Sequence, residues 1–188
     1  IIMRRLMLAA AMSLTLVACS NPVPSFIVAP QLITNQSGQL SNVRLSLTVQ
    51  DNRPTNATLV MRDGNGVKSY PTSNDMIGAI TQSLTGAIAQ KGGVVAAGEA
   101  TMVTIQINQL EANAEIKTVE HEVRNNVEIT ILIDRNGSTY NKSFSARSNF
   151  SAPFKLDTAV AERESRLLVE QVLGQVMADS SWQDFVRG

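Results

Sequence analysis

One side chain in this sequence has both reactive chemistry and the neighbours to use it. Cys19 is the sole cysteine of 188 residues, and it closes the run Leu16-Val17-Ala18-Cys19. A thiol that follows a small residue at the end of a short apolar stretch can accept a diacylglyceryl group. Cleavage before it would free an amine for a further acyl chain. The residues upstream fit that chemistry: Arg4 and Arg5 give a basic start, and Leu6 to Leu16 is apolar apart from Ser13 and Thr15. A basic start, a short apolar run and a small residue before the cut make a secretory signal. Spanning a bilayer as a helix takes ~20 apolar residues, far more than this run supplies. Each buried acyl CH2 contributes ~0.8 kcal/mol, so several chains on Cys19 would anchor the protein stably where one would not. Residues 1–18 are therefore expected to be a signal peptide and 19–25, with two prolines, a lipidated tether.

The remaining candidates for chemistry are weaker. His121, the only histidine, lies in Glu120-His121-Glu122. On a strand the two carboxylates point one way and the imidazole the other, so the three do not converge on a metal, and a solvated strand edge is expected. No Gly-x-Ser-x-Gly elbow supports a hydrolytic triad through the same histidine. Asp51 and Arg53 sit at a strand end, where they form either a local ion pair in a turn or a polar clamp on a partner. Gly64-Asn65-Gly66 lacks the Gly-Lys-Ser/Thr of a phosphate loop and reads as a hairpin turn. Asp157, Glu162 and Glu164 fall on the outer part of a helix. Trp182, with Phe185 and Val186, either closes the core or offers an apolar patch to a partner. No catalytic residue, metal site or cofactor is expected.

Composition narrows the classes further. The chain has 16 basic and 16 acidic residues; without Arg4 and Arg5 the balance is 14 to 16. No basic surplus points to nucleic acid. The chain beyond residue 18 is the size of one ordinary domain, long enough to bury a core without disulfides.

The elements that must position these residues are legible as alternation and stripe. Phe26 to Pro30 reads as a short strand. Val43, Leu45, Leu47 and Val49 alternate with polar residues, which predicts a half-buried strand. Leu59–Arg62 and Val67–Tyr70 flank Asp63-Gly64-Asn65-Gly66 as a hairpin. Ile77, Ile80, Leu84, Ala87 and Ile88 form one helical stripe, with Ser73 or Asn74 as cap and Gly92-Gly93 as stop. Val103 to Leu110 is a strand. The polar stretch Ala112 to Asn126 reads as a long edge segment, an extended arm able to pair with a partner strand. Val127 to Ile133 and Ser138 to Asn149 flank Asn136-Gly137 as a second hairpin. Asp157 or Thr158 caps a long helix with Leu168, Val172, Leu173 and Val176 on its apolar face, and Ser180 or Ser181 caps a last turn. Strands, helix, strands, helix predict a single α+β domain over residues 26–188. It would have a mostly antiparallel sheet, two main helices packed on one face and a short C-terminal helical turn.

The lipidation motif, Val28-Ala29-Pro30, Asp51-x-Arg53, Gln109-Leu110-x-Ala112, the Asn136-Gly137 hairpin and the terminal Phe185-Val186 pair, in that order, resemble the YajG-like lipoproteins of Gammaproteobacteria. The resemblance covers nearly the whole chain. It implies an outer-membrane lipoprotein with a fold similar to the domains of other small periplasmic lipoproteins and to the N-terminal domain of the translocation protein TolB. It carries over no catalytic residue, only Cys19 as the lipid site. In such lipoproteins Asp after the cysteine tends to retain the protein at the inner membrane. Ser20 implies the outer membrane, with the domain facing the periplasm. The expected function is non-enzymatic binding of an envelope protein. The alternative is binding of a small envelope molecule, a lipid or peptidoglycan fragment, in a cavity lined by Ile80, Leu84, Leu168 and Val172.

Overall fold

The computed structural model describes residues 23–35 and 37–188; the expected signal peptide, Cys19 and most of the expected tether lie outside them. Seven strands and three helices follow in the order β1 (Arg44–Asp51), β2 (Ala57–Asp63), β3 (Gly66–Pro71), α1 (Met76–Gln90), β4 (Val94–Val95), β5 (Thr101–Ile116), β6 (Glu120–Arg135), β7 (Ser138–Pro153), α2 (Thr158–Ala178) and α3 (Ser180–Arg187). The expected C-terminal turn is thus a helix of eight residues.

The α+β class holds, but the sheet is mixed rather than mostly antiparallel. The meander β5–β6–β7 is antiparallel throughout, and so is the β2–β3 hairpin. Along the other edge of β5, however, β1 and then β2 both run parallel to it, and β4 pairs parallel with β1. Parallel pairing needs a long crossover, and α1 supplies it between β3 and β4. Local alternation gives a strand's two faces but not the direction of its neighbour.

Each of β5, β6 and β7 has sixteen residues, about 50 Å at ~3.3 Å per residue. The sheet they dominate is curled into a half-barrel. On β6 the odd positions Val123, Val127, Ile129, Ile131 and Ile133 are buried along its length. On β5 the buried positions are odd as far as Ile107 and even from Leu110 on. A bulge between Ile107 and Gln109 makes the change; it keeps one apolar face despite the break in alternation. The Asn136-Gly137 turn is as expected, with φ of 53° and 84°, the double positive φ of a tight hairpin.

Both long helices lie on that apolar face within one continuous core. Their caps are aspartates: Asp75 accepts from Gly78 N–H, Asp157 from Ala159 N–H, and Asp179 from Ser181 N–H. Ser73 and Asn74, expected as caps, serve the N-terminal segment instead. Residues 26–30 do not form a strand. Phe26 and Val28 are buried, but the backbone from Phe26 to Thr34 is held by side chains of both helices and the loop before α1. Phe26 N–H donates to Ser73 Oγ and Val28 N–H to Asn74 Oδ1, each at 3.0 Å. Ile27 N–H donates to Glu162 Oε2 at 2.8 Å and Gln31 N–H to Glu170 Oε1 at 2.9 Å. Leu32 and Thr34 donate to Ser83 and Gln90 of α1. An extended backbone can therefore lie between two helices with its polar groups satisfied.

Candidate functional site

Arg53 is the most heavily engaged charged residue, and the end-to-end arrangement of β1 and β2 explains why. Between the two strands the chain leaves the sheet as the loop 52–56, opposite the β5 bulge, so ladder bonds are missing there. Arg53, with its side chain only 5% exposed, fills the gap. Its Nη1 donates to Thr58 Oγ1 at 2.9 Å, Leu110 O at 3.2 Å and Ala57 O at 3.4 Å. Its Nε and Nη2 form a two-pronged pair with Asp51, both at 2.8 Å. These Arg53 hydrogen bonds hold the Asp51 carboxyl below its usual range, against the upward push of partial burial. A shallow cleft of about 210 Å³ adjoins them, but every nitrogen of the guanidinium is already committed. The pair is more than a local turn contact: Arg53 also donates to backbone carbonyls of two strands, Ala57 O of β2 and Leu110 O of β5.

Trp182 is 1% exposed, and its indole N–H donates to Val176 O at 2.6 Å. It closes the core under α3 and offers no surface to a partner. Phe185 stacks obliquely on Tyr140 at 5.5 Å between ring centroids.

His121 is not on a solvated edge. β6 has neighbours on both sides, and His121 points to the helix-bearing face, 6% exposed. Its Nδ1 has no hydrogen-bond partner among the described residues, and nothing in the structure explains that. Glu122 faces the other way and pairs with Arg124. Among the described residues no group of three or more His, Cys, Asp or Glu could hold a metal ion. Asp157 caps α2, Glu162 holds Ile27 and Glu164 pairs with Arg163.

The stretch Ala112–Asn126 is not an edge either. It is the distal half of the β5–β6 hairpin, with β2 on one side and β7 on the other. The open edges lie elsewhere, and the long one is β7, which pairs with β6 alone. Its uncovered face carries Thr139, Asn141, Ser143, Ser145, Arg147 and Asn149. Ser, Thr and Asn are not a periodic apolar signal, so this edge was hidden in the sequence.

The cavity expected between sheet and helices is filled: Ile80, Leu84, Leu168 and Val172 are buried core residues. The roomiest cleft described, about 530 Å³, lies at the surface between the N-terminal segment and the end of α2. Leu32, Ile33, Leu167, Met177 and Lys91 are among its walls. Lys91 is 7% exposed; its ammonium donates to Gln39 Oε1 at 2.8 Å and Ser37 Oγ at 3.4 Å. Its charge sits at the negative end of α1, which it caps, a favourable place for a cation.

A protein from Xanthomonas campestris has a similar fold, with a TM-score of 0.52 at 12% identity over 85% of this chain and 96% of that one. A minor lipoprotein from Acinetobacter baumannii scores 0.38 at 13% identity over 79% and 90%. A lipoprotein from Neisseria meningitidis scores 0.34 at 10% over 73% and 99%. No curated protein matches the sequence. Residues 30–187 match the family described as uncharacterized lipoprotein, and the chain belongs to that family. No helix among the described residues is long and apolar enough to cross a membrane.

Proposed function

We propose that this is a non-enzymatic lipoprotein of the outer membrane. It would be anchored through acyl chains on Cys19, with its domain in the periplasm binding an envelope protein along the free edge of β7. Within its family we place it with the YajG-like group, on the motif order given above. The observation that carries the binding mode is the sixteen-residue β7, paired on one side only. An unpaired row of N–H and C=O groups is a template for an added strand. The non-enzymatic reading is supported by where the ionisable groups are spent: Asp51, Arg53, Asp157, Glu162 and Glu170 all make scaffold bonds.

Two experiments test this. Metabolic labelling with a clickable palmitate analogue should mark the wild type and not Cys19→Ala, and the label should fractionate with the outer membrane. Photo-crosslinking residues placed at Ser145 and Asn149 should capture one and the same envelope protein. If neither position yields an adduct above the uncrosslinked control, edge binding is wrong.

A second reading, binding of a small envelope molecule, no longer has the core cavity but keeps the cleft at Lys91. Its lining combines aliphatic side chains with Lys91, Glu170 and several amides, which suits an amphiphile with a polar head, and its volume is in the ~300–1,000 Å³ range of ligand pockets. If a fluorescent anionic lipid bound wild type and Lys91→Met equally, that reading would fail.

A further inference from the structure

One end of the sheet carries apolar side chains that the fold does not use. Phe154 is 82% exposed and Val119, at the turn between β5 and β6, is 65% exposed. The two are tied together, Phe154 N–H donating to Val119 O at 3.1 Å. Phe154 also has φ +63°. Among the described residues the other non-glycines with positive φ are Asn42 and Asn136, and asparagine is the type that tolerates that region. A bulky residue there is a backbone outlier. Folding alone gives no reason to hold an aromatic ring in a strained turn and point it at solvent.

The direction of the chain shows what faces this end. Residues 26–34 run alongside α2 in the same sense, Ile27 at Glu162 near its start and Gln31 at Glu170 further along. Traced backwards, the chain therefore leaves the domain toward the N-terminal end of α2. That helix begins at Thr158, four residues after Phe154. Cys19 is only four residues before Val23, a reach of at most ~14 Å. The end of the domain nearest the lipid is the end with Phe154 and Val119.

We propose that the Phe154–Val119 tip is seated on the bilayer that holds Cys19, with both side chains in its interfacial layer, where aromatic rings are favoured. The inference rests on the lipid-anchor reading above. The contact is apolar rather than electrostatic. Lys117 and Lys155 are exposed at this end, but Lys117 lies 3.7 Å from Glu115 and 4.0 Å from Glu122, and Glu120 is exposed beside them. Seating therefore does not depend on anionic lipid. It stands the long strands on end, with the Asn136-Gly137 turn farthest from the membrane and the β7 edge rising from it.

The test uses the full-length lipidated chain in phosphatidylcholine vesicles, with and without brominated acyl chains. Phe154→Trp and, separately, Val119→Trp report on the tip. Met102→Trp, at the opposite end of β5 and exposed, is the reference, and the wild type with buried Trp182 sets the baseline. At the tip the new indole emission is expected to shift to shorter wavelength and to be lost to the brominated lipid. Met102→Trp is expected to show neither change, and added phosphatidylglycerol should alter nothing. Tip indoles quenched no more than Met102→Trp would overturn the seating. Palmitate labelling of the same preparations separates the two ideas. Label without tip quenching leaves the anchor and removes the seating. Tip quenching without label upholds the seating and removes the anchor. Absence of both removes both.

Discussion

Arg53 and Phe154 occupy environments that invert their residue types. Arg53 is a cation in a turn, the kind of residue that reaches for a ligand, yet it is buried and its guanidinium is bonded to Asp51, Thr58, Leu110 and Ala57. Phe154 is an aromatic near a strand end, the kind of residue that fills a core, yet it is almost fully exposed in a strained backbone. The contrast extends around each. Asp51, Glu162 and Glu170 serve the scaffold as Arg53 does, while Val119 is left outside with Phe154. In this molecule the groups with chemistry build the fold, and bland apolar groups are left to meet something else. Partner-seeking residues are therefore better found by asking which side chains the fold leaves idle than by asking which are reactive.

The scaffold side of this contrast should break hardest. Trp182→Ala removes the largest fully buried side chain and one of the two donors to Val176 O; it should cost about 3–5 kcal/mol, read as a lowered denaturant midpoint. If Trp182 served a partner instead, stability would be unchanged. Arg53→Ala removes the guanidinium donors from Leu110 O and Asp51 and should cost about 2–4 kcal/mol. Arg53→Lys should recover only part, because an ammonium cannot reproduce the planar fork. Asp51 adds a pH signature. Its folded pKa is depressed by Arg53, so its stabilisation is present above the unfolded value of about 3.9 and is lost as pH falls through the lower folded value. The stability gap between wild type and Asp51→Asn should accordingly be full at neutral pH and close at acid pH. A gap independent of pH would mean the carboxylate charge does not matter at this junction.

The seam between the helices is the milder case. Glu162→Ala and Glu170→Ala each remove one acceptor from the N-terminal backbone, at 2.8 and 2.9 Å. Each should cost about 1 kcal/mol and should speed hydrogen exchange at Ile27 and Gln31 respectively. Exchange unaltered at those amides would show that the segment is held by Phe26 and Val28 alone.

How far the sequence reached follows from the same physics. Alternation located β1 and about half each of β5 and β6, turn residues located the β2–β3 hairpin, and the apolar stripes located α1 and α2, because burial of one face writes a local period. Asn136-Gly137 was legible because positive φ selects its residues. Three features are not local. Parallel pairing of β1 and β2 on β5 depends on where α1 returns the chain. The strand expected at Phe26–Pro30 has the right residues, but its backbone partners are Ser73, Asn74 and Glu162, up to 135 residues away. The fit of Arg53 depends on a bulge that the sequence shows only as Ile107 and Leu110 three apart. Trp182 and the Asp51–Arg53 pair were candidates for partner contact; Trp182 is buried in the core, and the Arg53 guanidinium is committed to bonds within the fold. The tip was missed because Pro153 marks a turn there but nothing local says that the ring of Phe154 will face solvent.

The smallest expected effect has the opposite sign and bears most directly on the contrast. Glycine adopts φ +63° without the side-chain clash that a phenylalanine suffers there. Phe154 buries almost nothing, so Phe154→Gly gives up little packing. Relief of strain, of order 1–3 kcal/mol for such outliers, is opposed by the extra freedom of glycine in the unfolded chain, about 0.4–1 kcal/mol. The balance favours the variant, and its denaturant midpoint should equal or exceed that of the wild type. If the ring is kept for the bilayer, the same variant should be looser at the membrane, with faster proteolysis or exchange in the β5–β6 turn of the vesicle-bound protein. A clear loss of stability in Phe154→Gly without lipid would instead place the ring among the fold's own supports and erase the distinction between the tip and the Arg53 junction.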